Sequence, residues 1–194
     1  MGTEPTGCTP VSAHAVALVP TREKTAATAA SSFRMATQLT GPRRLWLTSE
    51  VFNRAMLSHA EISDRLEIQQ LIVDYSTAID TRHFDGLDAV FTQDAYIDYT
   101  ALGGIEGRYP EVKAWLAEVL PNFPMYAHML GNFSVRVDGD TASSRTICFN
   151  PMVLGGEKEQ IMFCGLWYDD DFVRTADGWR MTRRVETKCV QKIL

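Results

Sequence analysis

The hydrophobic period of this chain changes once, near its middle, and that change limits the folds open to it. Between Ser58 and about Val119 apolar residues recur every three or four positions, whereas from Asn132 onward they alternate. Ser58-His59-Ala60-Glu61 has the form of a capping box, and Ser63 offers a second N-cap one turn later. Ile68, Leu71, Ile72, Tyr75, Ala78 and Ile79 then make one apolar stripe, which predicts a helix to about Asp80 that buries Tyr75. Phe84, Leu87, Val90 and Phe91 predict a second, short helix. Val112, Trp115, Leu116 and Val119 predict a third after Tyr109-Pro110, where proline suits the first turn.

Strand-like runs lie at Ala95 to Thr100, Asn132 to Val137, Thr141 to Phe149, Ile161 to Phe172 and Trp179 to Val190. Asp138-Gly139-Asp140 and Ala176-Asp177-Gly178 are hairpin connections because Gly and Asp tolerate positive φ, and Gly155-Gly156 marks a longer one. Helices followed by consecutive hairpins predict an α+β fold with an antiparallel meander and exclude a Rossmann array.

Residues 1-57 differ in kind. Up to Ser58 there are six Lys/Arg and three Asp/Glu, against thirteen and twenty-one from His59 onward. The stretch Thr25-Ala26-Ala27-Thr28-Ala29-Ala30-Ser31-Ser32 is of low complexity, so 1-57 is expected to be a flexible extension and 58-194 the folded domain. Ala13 to Val19 is too short and too interrupted for a signal peptide. Arg22, Lys24, Arg34, Arg43 and Arg44 suggest a transit peptide by composition only, with Glu4 and Glu23 against it. The preferred expectation is a translation start at Val51 or Met56.

The net charge of −5 disfavours a nucleic-acid surface, and no apolar run approaches the roughly 20 residues that span a bilayer. Cys8, Cys148, Cys164 and Cys189 show no C-x-x-C pairing, which predicts reduced thiols and a cytoplasmic location. Nucleotide-binding, phosphate-binding, hydrolase-nucleophile and metal motifs are all missing from the sequence, so chemistry is expected from side chains alone, with no cofactor and no metal.

Of four histidines, His14 and His59 lie in or beside the extension. His83 follows the first helix, where a cation suits the helix dipole in solvent. His128 sits in the apolar run Met125-Tyr126-Ala127-His128-Met129-Leu130-Gly131. Strict alternation puts it on the face of Asn132, Ser134 and Arg136, opposite Phe133, Val135 and Val137, unless a bulge at Gly131 exchanges the faces. Asp80 ends an apolar helix, where carbonyl dipoles disfavour a carboxylate, which marks it as a candidate base. Tyr75 and Tyr99 read equally as core aromatics or as hydroxyl donors.

Ile68-Gln69-Gln70-Leu71-Ile72-Val73-Asp74-Tyr75-Ser76-Thr77-Ala78-Ile79-Asp80, Leu87-Asp88-Ala89-Val90-Phe91-Thr92-Gln93-Asp94-Ala95 and His128-Met129-Leu130-Gly131-Asn132 together resemble SnoaL-like proteins of the nuclear-transport-factor-2-like superfamily. The resemblance covers about Ile62 to Glu186 and points to the branch of scytalone dehydratase and bile-acid 7α-dehydratase. It implies a cone-shaped, curved, mainly antiparallel (mixed) sheet packed against three N-terminal helices. It also implies a catalytic set of Tyr75, Asp80, Tyr99 and His128. The scytalone enzyme differs at the position of Tyr75 and has a second histidine where this chain offers Cys148 and Asn150. Asn150 is the expected hydrogen-bonding replacement.

The function so implied is a dehydratase in which His128, oriented by Asp80, removes a proton α to a carbonyl while a tyrosine hydroxyl stabilises the enolate. Trp115, Trp167, Phe149 and Met129 are the expected apolar walls for a small hydrophobic ring, polyketide, steroid or terpenoid. An isomerase, a cyclase, or a ligand-binding or assembly module of the same fold are the competing readings. Epoxide hydrolysis would need an Asp, Arg and Asp network, for which Arg145 and Arg183 are the imaginable members. A homodimer or higher homo-oligomer is the expected assembly.

Overall fold

A computed structural model describes residues 56–156 and 160–194. The expected extension 1-57 and the start at Val51 or Met56 lie almost wholly outside the described residues. Ser58 caps α1 (His59–Asp80) by accepting the Glu61 amide at 3.2 Å, while the Glu61 side chain pairs with Arg65. Ser63 is inside the helix, bonded to Glu67. The helix stops because Arg82 adopts φ 57, which lets the amides of Arg82 and His83 turn back to the carbonyls of Ile79 and Ala78. His83 is exposed just beyond.

The second predicted helix is a 3₁₀ turn, Phe84–Ala89, which leads into β1 (Phe91–Asp98). A short 3₁₀ turn, Thr100–Leu102, precedes β2 (Glu106–Arg108) and α2 (Tyr109–Val119), with Pro110 in the first turn. Four long strands follow: β3 (Met129–Asp138), β4 (Thr141–Leu154), β5 (Gln160–Thr175) and β6 (Gly178–Ile193). All are joined as hairpins. Gly139 and Gly178, at φ 58 and 96, supply the positive-φ positions of two of the turns.

The six strands form one open sheet in the order β2-β1-β6-β5-β4-β3, antiparallel except for β1 beside β6. This is the expected α+β architecture with a mixed sheet. Helix α1 lies against β3 and β6, and α2 against β1. Ala142, Ser144, Thr146, Cys148, Asn150 and Met152 of β4 are all buried, so the even-numbered positions of that strand face the helices. Their cross-strand partners on β5 include Cys164, Leu166, Tyr168, Asp170 and Phe172. Ile68, Ile72, Tyr75 and Ile79 fill the space between this inner face and α1.

Bulges in β3 and β6 decide which side chains face inward. Between Gly131 and Ser134, β3 advances three residues while β4 advances two, with Asn132 at φ 49. The bulge therefore exchanges the faces, so that Leu130 opposite Cys148 and Val135 opposite Ser144 both point inward. On β6, Thr182 is the extra residue between Met181 and Arg183, and Cys189 is the extra residue between Lys188 and Val190, which turns Val190 to the outer face.

Candidate active site

Asp80, on the last residue of α1, reaches across to the segment entering β3. Its Oδ2 accepts the His128 backbone amide at 2.9 Å, and its Oδ1 lies 2.6 Å from His128 Nδ1. The imidazole is 4% exposed, and the carboxylate is partly buried beside it. An ionised carboxylate accepts only, so Nδ1 is the donor of this bond, and in the neutral ring Nε2 then keeps the lone pair. Asn150 Nδ2 approaches that Nε2 at 3.4 Å, a loose contact, and Asn150 Oδ1 is buried without a partner among the described residues.

Tyr75 comes down from α1 onto the same ring, edge-on at 6.3 Å between centroids. Its hydroxyl pairs with that of Tyr99 at 2.7 Å. Burial raises the Tyr75 phenol to about 12 and raises Tyr99 well above its usual range, so both remain protonated donors. The structure thus brings Tyr75, Asp80, Tyr99, His128 and Asn150 into one cluster.

The expected walls divide. Trp115 packs against the core from α2, its ring tip beside Gly104, where a Cβ would stand 3.0 Å from Trp115 and 2.8 Å from the Cβ of Tyr99. Met129, Phe149 and Trp167 are a correction: all three occupy the outer register of the sheet, away from His128. Met129 is 56% and Phe149 37% exposed. The reason is parity, because His128 and Asn150 face inward and their immediate neighbours must face outward. Trp167 instead carries the Arg145 guanidinium, 4.9 Å above its ring.

Arg184 was not anticipated. It is fully buried, forked onto Asp170 by two bonds of 2.8 Å, and sandwiched between the rings of Tyr75 and Tyr168 at 4.1 and 4.0 Å. Its third nitrogen, Nη1, is buried without a partner among the described residues, as is Thr146 Oγ1. Arg145 and Arg183 instead pair with Asp169 and Asp171 on the outer face. Alternation counted from Trp179 and Met181 selects Arg183; the extra residue Thr182 moves the inward position to Arg184. The orphaned Asn150 amide oxygen beside His128, and the Thr146 hydroxyl and Arg184 guanidinium atoms on the same inward face of the sheet, are polar positions that a bound molecule could satisfy.

Residues 60–185 match the model of the SnoaL-like domain. Among known proteins, Rv2910c of Mycobacterium tuberculosis H37Rv, itself uncharacterized, is 76% identical over 144 residues, 74% of this chain and 98% of that one. A Novosphingobium aromaticivorans structure, provisionally described as an aromatic ring hydroxylase, is 32% identical with a TM-score of 0.62, over 69% of this chain and 94% of its own. The hexachlorocyclohexane dehydrochlorinase LinA-type3 of Novosphingobium barchaimii shares the fold at 20% identity and TM-score 0.60, over 69% and 91%. The chain belongs to the SnoaL-like family.

Proposed function

We propose that this protein is a cofactor-independent lyase of the dehydratase type, acting on a small hydrophobic ring compound that carries a carbonyl. The observation that carries the reading is the double hold of Asp80 on His128, which fixes both the backbone and the ring and leaves Nε2 as the base. A binding module has no need to orient an imidazole in this way. Proton transfer from carbon to Nε2 would create an imidazolium beside Asp80, which stabilises it. The Tyr75 and Tyr99 pair and Asn150 are the neutral groups available to the developing enolate oxygen. In LinA the same fold serves a dehydrochlorinase, another elimination, which accords with this reading without fixing the substrate.

Elimination of water from 3-hydroxycyclohexanone, followed by the absorbance of the enone, tests it. Asp80→Asn and His128→Ala are each expected to lower turnover about 10²–10⁴-fold, the ordinary value of acid–base help. Unchanged turnover in both variants would remove the reading.

The outer sheet face is the proposed contact between copies of this chain. Met129, Phe149, Ile161 and Val190 make it apolar and exposed. Phe149→Glu should lower the mass seen by light scattering if the face is shared. The buried, unpaired thiols of Cys148 and Cys164 accord with a cytoplasmic location.

A further inference from the structure

Two residues beyond Arg184, in the same inward register of β6, stands Glu186 opposite Tyr168. The residue is only partly exposed, and no described residue gives its carboxyl a hydrogen bond or an ion-pair contact. Its surroundings are those of the site. Its charge acts on Tyr75 of α1, Tyr99 after β1, Cys148 of β4, and Cys164 and Tyr168 of β5. Tyr168, its cross-strand neighbour, packs edge-on against Tyr75 at 6.0 Å between centroids, and Tyr75 packs in the same way against His128 at 6.3 Å. Burial pushes the Glu186 carboxyl up to about 8; Arg184 pulls it back and Asp98 adds to the rise. Asp170 is neutralised by Arg184, and Lys188, next on the same face, is exposed.

A carboxyl turned to the inward face of the sheet with no partner is a cost to the fold that a glutamine or leucine would avoid, so its presence on the face that carries His128 calls for a use. Loss of hydroxide from carbon needs a proton. The tyrosines are poor sources, since burial lifts Tyr75 to about 12. A carboxyl kept neutral by its apolar surroundings is a far stronger acid, and pairs of groups whose environments push them apart divide the roles of acid and base.

We propose that Glu186 is the proton donor of the site, protonating the departing hydroxyl of a neutral β-hydroxy carbonyl substrate while His128 accepts the α proton. The inference rests on the dehydratase reading above and adds to it the leaving group. The C–H bond breaks toward Nε2 and its electron pair becomes the new C=C bond. The C–O bond breaks with its pair, the oxygen takes the Glu186 proton, and water departs. Imidazolium and carboxylate remain, and solvent returns the proton from one to the other.

The test compares two leaving groups in the full chain. With 3-hydroxycyclohexanone, Glu186→Gln should lower kcat at least about 10²-fold with little change in KM. With 3-(4-nitrophenoxy)cyclohexanone, whose leaving group departs without a proton, the loss should be less than about tenfold, whereas Asp80→Asn should slow both substrates. Equal losses on both substrates in Glu186→Gln would overturn the proposal. In parallel, the chain labelled with ¹³C at glutamate carboxyls gives a Glu186 resonance, identified by its loss in Glu186→Gln or Glu186→Asp. Its midpoint is expected at about 8 and should move when cyclohex-2-enone binds. If wild type turns over neither substrate, the dehydratase reading has failed by itself and the resonance decides. A midpoint near the ordinary value of about 4.3 then overturns the role of Glu186, and a high midpoint that responds to the enone upholds it as a donor to a ligand oxygen.

Discussion

Asp80 holds His128 through separate oxygens, one on the backbone amide and one on the ring, across 48 residues of sequence. Both contacts place charge on a hydrogen bond, yet the carboxylate sits where the carbonyls of α1 disfavour it by about 0.3–1 kcal/mol. These opposite effects separate in a double-mutant cycle. His128→Ala alone should cost stability, and the coupling between Asp80→Asn and His128→Ala should be about 1–3 kcal/mol in urea unfolding. In the His128→Ala background, Asp80→Asn should cost less than in wild type, because the ring contact has gone, only the bond from the residue-128 amide is left to weaken, and the dipole penalty is relieved.

Arg184 and Asp170 make the second prediction. With both side chains out of water, Arg184→Met leaves an uncompensated carboxylate and should destabilise by about 3–5 kcal/mol. Arg184→Met with Asp170→Leu should recover much of that loss, since an apolar pair of similar bulk needs no desolvated charge. Failure of the second change to rescue the first, by thermal or urea unfolding, would show that the Tyr75 and Tyr168 rings depend on the guanidinium itself.

The helical and strand periods made the architecture legible, because burial on one face writes itself into the sequence at 3.6 or 2 residues. The apolar stripe through Tyr75, the cap at Ser58 and the hairpin glycines all lie where the pattern places them. What alternation alone does not resolve is which face continues past a bulge. His128 escaped that difficulty only by allowance for an extra residue near Gly131; Arg184 did not, because Thr182 gives no sign that it is unpaired. Met129, Phe149 and Trp167 were misplaced for a related reason: an apolar side chain on an exposed sheet face looks the same in sequence as one lining a site.

Asn132 tests the first bulge directly. At φ 49 it occupies the left-handed region, which asparagine tolerates and a β-branched residue does not. Asn132→Gly should leave stability within about 1 kcal/mol, while Asn132→Val should cost about 1–3 kcal/mol. If the valine variant straightens the strand, the faces exchange. A shift of the His128 ring resonances in NMR, seen in the valine and not the glycine variant, is the expected sign that the bulge aims the imidazole.

The pH dependence of stability follows from Glu186, whose carboxyl is raised by burial from 4.5 to about 8. Below about 4.5 the group is protonated whether the chain is folded or not, and its neutral form costs the fold nothing in charge. Between the two values the unfolded chain releases the proton and the folded chain retains it, so the folded state binds more protons and stability falls as pH rises. Above about 8 both forms are ionised and the loss is complete, amounting to a few kcal/mol. The difference in unfolding free energy between wild type and Glu186→Gln isolates this group, because other titrations are common to both proteins. That difference should favour the glutamine variant increasingly from about pH 5 to 8 and then level off; a flat difference across this window would place the Glu186 carboxyl in water.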